Sequence, residues 1–88
     1  MKHHTKVYLD FFNYDESDWI ECEIPDCGQQ AVDINHISAR GMGGSDYKDT
    51  IGNLMAMCRK HHLEFGDKKE YRDWLYEVHQ KKINKFNA

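Results

Sequence analysis

The chain has few of the features that mark secreted, membrane-spanning or disulfide-bonded proteins. Its 88 residues include three cysteines and one proline. An odd number of cysteines leaves one thiol unpaired in any all-disulfide framework. We find neither a secretory hydrophobic segment nor an apolar run long enough to span a bilayer. These absences predict a single domain that is not membrane-bound and lies in the reducing cytoplasm, where clustered cysteine and histidine more often bind metal.

An excess of positive charge is also lacking, because the formal net charge is -3. The charge is unevenly distributed, however. Residues 1–33 carry two lysines and eight carboxylates, whereas residues 34–88 carry ten Lys/Arg and seven carboxylates. Phosphate binding requires a local basic face rather than a basic chain. The net charge therefore does not exclude a nucleic-acid partner.

Four potential metal ligands occur as two close pairs. Cys22 and Cys27 flank a turn, and Cys58 and His61 stand at i and i+3, on one face of a helix. Zinc prefers four nitrogen or sulfur ligands in a tetrahedron. Spacing alone leaves the fourth ligand open between His61 and His62, whose side chains would point about 100° apart on a helix. The pattern predicts a structural zinc, which a domain this small needs for stability.

Apolar periodicity predicts a hairpin followed by a helix, flanked by one helix on each side. Thr5 is the expected cap of the first helix, over about 5–14, although its β-forming residues also allow a strand. Strands are expected over 31–37 and 53–57, a helix over 58–65 and a last helix over about 69–85. Glycines mark the loop between the strands. We expect His3, His4 and His79 to be surface residues.

The chain from Cys22 to Gly66 resembles the HNH endonucleases, the ββα-metal nucleases, in their zinc-stapled form. The motifs that carry the resemblance are Cys22-x4-Cys27, Val-Asp-Ile-Asn-His-Ile (32–37), Arg-Gly-Met-Gly-Gly (40–44), Ile-Gly-Asn-Leu-Met-Ala-Met-Cys (51–58) and Arg-Lys-His-His (59–62). The resemblance implies an α+β fold. Its small ββα-metal (His-Me finger) core would cover about 20–66, with a structural zinc and flanking N- and C-terminal helices, so that residues 1–88 form one nuclease domain. It also implies that His61 completes the zinc site.

By position, the resemblance makes His36 the general base, Asn53 the family asparagine, and His62 a ligand of a catalytic Mg²⁺ or Mn²⁺. Arg40 is implied as a DNA phosphate contact. Such chemistry needs a group that takes a proton from water near neutral pH and a cation that neutralises charge on the scissile phosphate. Asn53 would either orient His36 or hold the hairpin closed.

One position departs from the family pattern. The residue before the base is usually a histidine or aspartate that binds the catalytic metal, and here it is Asn35. An amide oxygen still ligates hard cations, but it is a poorer partner than a carboxylate. Asp33 lies on the same face of the strand as Asn35 and is a reserve ligand.

The implied function is a metal-dependent DNA endonuclease that nicks double-stranded DNA, leaving a 5′ phosphate and a 3′ hydroxyl. Free-standing domains of this type occur in phage and mobile-element genomes, and the chain would act as a monomer or homodimer. The alternative is a catalytically degenerate zinc-stabilised DNA-binding or adaptor module. A third hypothesis is a zinc-ribbon interaction domain that binds protein through Tyr8, Phe11, Phe12 and Trp74.

Overall fold

A two-stranded antiparallel sheet connects the helices of this α+β protein. The computed structural model describes residues 1–38, 49–66 and 68–88. Five elements follow in chain order: α1 (His3–Phe12), β1 (Asp33–His36), β2 (Leu54–Met57), α2 (Arg59–His61) and α3 (Arg72–Asn87). Two 3-10 turns lie at Ile51–Asn53 and Lys69–Tyr71, and a π-helical turn at His62–Gly66 continues α2.

The sheet is covered on both faces, which explains why β2 is a continuous apolar run rather than an alternating one. The register pairs Asp33 with Met57 and His36 with Leu54. Leu54 and Ala56 pack with α1 on what we call the α1 face, whereas Met55 and Met57 pack near the cysteines on the cysteine face. Because side chains alternate along a strand, Asp33 and Asn35 project to the cysteine face and His36 to the α1 face.

With Thr5 as its cap, helix α1 would begin at residue 6. The helix begins three residues earlier, at His3. Lys2 occupies the cap position, and Asn13 ends the helix in the left-handed region with φ 59°. Tyr8 and Phe12 are 0% and 4% exposed because the helix packs them onto the sheet. They are therefore core residues and cannot contribute to the docking surface of the third hypothesis, of which Phe11 is half-buried and Trp74 exposed.

Helix α3 buries a stripe formed by Leu75, His79 and Ile83 at four-residue spacing. The expectation of a surface His79 is wrong, since this residue is 1% exposed. Its Nδ1 lies 2.6 Å from Glu23 Oε1, and its Nε2 lies 2.5 Å from the carbonyl oxygen of Ile51. A buried imidazole is tolerated because both ring nitrogens have partners.

Glu23 is the centre of this buried polar network. Its other oxygen, Oε2, accepts hydrogen bonds from the Tyr8 hydroxyl at 2.6 Å and from the Ala56 amide at 2.9 Å. Burial and the neighbouring Glu23 carboxylate raise the pKa of Tyr8 above its usual value. Lys82 then donates to the Tyr8 hydroxyl at 2.8 Å. The network ties α1, α3 and β2 to the chain segment that carries Cys22.

Along the described segments, no helix combines the length and apolar character needed to cross a membrane.

Candidate metal centre and catalytic cleft

Three sulfur atoms and one imidazole converge at the end of β2. Cys22, Cys27, Cys58 and His61 each offer a ligand atom, and these atoms all lie within 4.8 Å of one another. Cys27 Sγ lies 3.8 Å from Cys58 Sγ, Cys22 Sγ lies 3.8 Å from His61 Nδ1, and Cys58 Sγ lies 3.4 Å from His61 Nδ1. The four residues predicted as a metal-binding set therefore form one cluster.

The size of the cluster fits a zinc ion. With zinc–sulfur bonds of about 2.3 Å and zinc–nitrogen bonds of about 2.0–2.1 Å, the edges of a tetrahedron are roughly 3.5–3.8 Å long. The sulfur–sulfur and sulfur–nitrogen separations of 3.4 to 3.8 Å match those edges. Three cysteines and one histidine are also a donor set that structural zinc uses.

Local backbone structure presents these ligands. Asp26 and Gly28 have φ values of 64° and 70°, so the chain reverses sharply around Cys27. Cys58 precedes α2, where the His61 and Lys60 amides donate to its sulfur.

The thiols differ in acidity for reasons the geometry explains. Burial raises the pKa of the Cys22 thiol to about 11. Burial alone would also raise the pKa of Cys58, but the backbone amides of His61 and Lys60, together with the neighbouring thiols, outweigh it and lower that pKa below its usual value. Thiolates are the form that binds metal. A bound cation would therefore have to displace the proton of Cys22 at neutral pH.

His61 and His62 point to different places, as neighbours on a helix must. His61 joins the cysteines, whereas His62 Nδ1 lies 2.9 Å from Asp33 Oδ2. Arg59 Nη2 lies 3.7 Å from the same carboxylate oxygen and is largely exposed. Asp33 and His62 thus form a carboxylate–imidazole pair on the cysteine face, with an arginine beside it.

Two residues support the His62 ring. Gly66 lies one turn beyond it, and an added Cβ at residue 66 would clash with His62 Cδ2. Asn35 is buried and donates from its amide to the carbonyl oxygen of Gly66 at 3.3 Å. The described contact of Asn35 therefore joins β1 to the π-helical turn. Its role as a metal ligand stays a prediction.

His36 lies on the α1 face, next to a carboxylate that is completely buried. Its Nε2 lies 2.6 Å from Asp49 Oδ1, and the Asp49 side chain is 0% exposed. His3 Nδ1 lies 2.8 Å from the second oxygen, Oδ2. The His4 ring stacks at a tilt on His36, with centroids 4.4 Å apart. A carboxylate this buried requires hydrogen-bond donors, and imidazole N–H groups supply them.

Asn53 is buried beneath the chain segment that leaves β1. Its Oδ1 accepts from the Ser38 amide at 2.8 Å and from the Tyr76 hydroxyl at 2.7 Å, and its Nδ2 donates to the Ser38 carbonyl at 3.1 Å. The Ser38 and Tyr76 hydroxyls also contact each other. These contacts join the segment after β1 to α3 through the Asn53 side chain, and both roles expected of Asn53 stay predictions.

His36 and His62 both line one cleft of about 760 Å³. Asp33, Asn35, His36 and His62 all line it, with His4 at its α1 side. Consecutive residues of β1 reach the cleft because it follows the outer edge of that strand. Asp33 and His36 project to opposite faces of the sheet, but both can therefore contact one molecule bound in the cleft.

Two residues at the site, Asp49 and His4, were not predicted from the sequence, and one predicted site residue is not described. Arg40, the expected phosphate contact, lies outside the described residues. Asp49 was missed because no periodicity or spacing marks an aspartate beside a glycine-rich loop. His4 is half-buried rather than a surface residue, and nothing in the sequence indicates that it lies beside His36.

Compared with known proteins, the chain matches no family model, no curated protein and no solved structure.

Proposed function

We propose that this chain is a metal-dependent DNA endonuclease of the HNH type, stapled by a structural zinc at Cys22, Cys27, Cys58 and His61. The observation that carries the proposal is a histidine fixed by a buried carboxylate in the same cleft as a carboxylate–imidazole pair. His36 is held by Asp49 at 2.6 Å, and both Asp33 and His62 line that cleft. A positioned base and a cation site within reach of one ligand are the minimum that phosphodiester hydrolysis requires.

His36 is the proposed base. The Asp49 carboxylate accepts the proton on Nε2, which leaves the lone pair of a neutral imidazole on Nδ1. Nδ1 is then the atom that takes a proton from the attacking water. Asp49 is a positioning residue, because it fixes the tautomer and the ring orientation and favours the imidazolium that forms.

Asp33 and His62 are the proposed holders of the catalytic divalent cation, Mg²⁺ or Mn²⁺. A carboxylate and an imidazole suit Mn²⁺ well, and the hard oxygen donor also suits Mg²⁺. A cation held there supplies neutralisation of the charge on the scissile phosphate. Asn35 offers no carboxylate to the cation. Asp33, two residues earlier on the same strand, faces His62 and supplies one instead.

Arg59 is a second source of positive charge at the cleft. Its guanidinium lies 3.7 Å from Asp33 Oδ2 and its side chain is 67% exposed. A planar guanidinium with free donors can bind a phosphate oxygen. Arg59 and Arg40 are therefore the proposed phosphate contacts of the cleft.

The test is cleavage of supercoiled plasmid by full-length protein carrying one zinc. The protein is desalted and assayed with no added cation, with Mg²⁺ and with Mn²⁺, and its zinc content is measured after each incubation. We expect nicked circles before linear product, only with added cation. His36→Ala should abolish cleavage while zinc content stays unchanged and the thermal transition stays cooperative at a lower temperature, because the buried Asp49 loses a donor.

A specific observation favours the alternative of a catalytically degenerate DNA-binding module. Asn35 is used as a buried brace in place of the usual ligand. Absence of cleavage in every cation, with zinc retained and DNA still bound at low salt, would favour that alternative. Full activity of a folded His36→Ala protein would refute the proposed mechanism.

A further inference from the structure

A second group of metal-ligating side chains lies on the α1 face, separate from the cysteines and from the Asp33–His62 pair. His4 from α1, His36 from β1 and Asp49 each offer one ligand atom, and these atoms lie within 4.8 Å of one another. The His4 and His36 rings are 4.4 Å apart, centroid to centroid. Three residues distant in sequence, on α1, on β1 and before the 3-10 turn at Ile51–Asn53, thus bring two imidazoles and one carboxylate together.

We propose that His4, His36 and Asp49 form a second transition-metal site, which takes a borderline divalent cation such as Zn²⁺ or Co²⁺. Two imidazoles and one carboxylate are a donor set that suits these ions, whereas Mg²⁺ prefers oxygen ligands and retains its water. The site differs from the cysteine cluster in having no sulfur. It is therefore the weaker of the two and fills second.

The surroundings of Asp49 favour a ligand role. His3 Nδ1 contacts Oδ2 at 2.8 Å, so it orients the carboxylate while Oδ1 faces His36. Partners of this kind orient metal ligands in many sites. The 2.6 Å separation between His36 Nε2 and Asp49 Oδ1 is that of a hydrogen bond. A cation would replace the shared proton, and tetrahedral bonds of about 2.1 Å need that separation to open to about 3.4 Å.

Filling this site has a chemical consequence for His36. A neutral imidazole has one proton and one free lone pair on its two ring nitrogens. A cation bound at Nε2 places the proton on Nδ1, and Nδ1 then cannot accept a proton from water. If the proposed function is correct, occupation of this site switches off the base. This consequence depends on the proposed function, whereas the metal site itself does not.

Cobalt titration of the full-length chain tests the site directly. A first Co²⁺ in the cysteine cluster gives a sulfur-to-cobalt charge-transfer band, and a second Co²⁺ at the His4 site binds without adding to that band. In the Asp33→Asn variant, which removes the competing cation site at Asp33 and His62, we expect two cobalt ions per chain by equilibrium dialysis. His4→Ala should lower the affinity for the second ion by at least about 100-fold. It should leave the charge-transfer band intact, which also shows that the variant is folded.

His3→Ala is the matched control, because it removes the neighbouring imidazole from the same helix. We expect it to weaken the second ion by about 10-fold, the lower end of the usual effect of a ligand-orienting partner. A single cobalt ion per wild-type chain would overturn the proposal. An equal loss in His3→Ala and His4→Ala would also overturn it, since the ion would then be bound by surface imidazoles in general.

Inhibition by zinc tests the consequence separately. Plasmid cleavage in Mg²⁺ should fall as Zn²⁺ exceeds one equivalent per chain, and removal of the excess should restore it. If two cobalt ions bind but zinc does not inhibit, the metal site stands and the assignment of His36 Nδ1 as base fails.

Discussion

The ring of His62 occupies the space in which a side chain at residue 66 would lie. A Cβ added to Gly66 would meet His62 Cδ2 closer than real Cβ contacts allow, and the backbone there belongs to the π-helical turn. The Gly66 carbonyl is also the acceptor for Asn35. The absence of a side chain at residue 66 therefore lets His62 turn toward Asp33.

Gly66→Ala should displace the His62 ring and lower the affinity for the divalent cation that His62 and Asp33 are proposed to hold. We expect Mn²⁺ affinity to fall by about 10- to 100-fold, as for other losses of ligand orientation. Isothermal titration with Mn²⁺ on the zinc-loaded protein measures it. Gly52→Ala is the control, since no atom of the described residues lies within 4 Å of a Cβ there. Equal affinities in the two variants would show that His62 does not hold the cation.

Asp33→Asn should reduce Mn²⁺ affinity by at least about 100-fold, because it removes the only charged ligand of the proposed pair. Asp10→Asn is a matched change on an exposed carboxylate of α1. It should leave affinity unchanged. In a further variant, Asn35→Asp, the family pattern predicts tighter Mn²⁺ binding, but the lost donation to Gly66 predicts lower thermal stability. Unchanged Mn²⁺ affinity in Asp33→Asn would eliminate Asp33 as the ligand.

Asp49→Asn should slow plasmid cleavage by about 100-fold or more while DNA affinity changes little. An amide can donate to Nε2 and favour the wrong tautomer of His36, as in triads where the same substitution is made. The informative readout is the dependence of the cleavage rate on pH. A positioning role predicts that the profile shifts, whereas a purely structural role predicts lower thermal stability with an unshifted profile.

Removal of zinc should unfold the domain. In a small chain the binding free energy of a structural zinc is folding free energy. Dialysis against a strong chelator should abolish the cooperative thermal transition followed by circular dichroism, and one equivalent of Zn²⁺ should restore it. His62→Ala should still bind that zinc, because His62 lies outside the cluster. A chelated chain that melts like the zinc-loaded one would exclude a structural metal.

Glu23→Gln should lower the free energy of unfolding by about 2 kcal/mol or more, because it disturbs a buried carboxylate that serves His79, Tyr8 and a backbone amide. Urea denaturation measures the change. Glu77→Gln is the matched control, since its contact with Lys81 is exposed and 4.0 Å long. A Glu23→Gln variant as stable as that control would show that the network contributes little.

The local part of this molecule was predictable from the residues. The spacing of Cys22, Cys27 and Cys58 indicated one metal cluster, because ligand pairs on a turn and on a helix converge through short-range geometry. The α+β architecture with a two-stranded sheet also follows from the apolar pattern. The catalytic assignments came from the resemblance alone and stay predictions.

Tertiary structure decided what local pattern could not encode. The sequence pattern predicted a surface position for His79. The packing of α3 over Glu23 buries the His79 side chain instead. Asp49 meets His36 and His3 across sequence separations of 13 and 46 residues. Periodicity reports which face of an element is apolar, whereas a polar contact between elements depends on how they pack. The sequence by itself thus determined three ligands of the metal cluster and the approximate positions of the elements. Packing decided that His61 joins the cysteines and which carboxylate His36, His62 and His79 each meet.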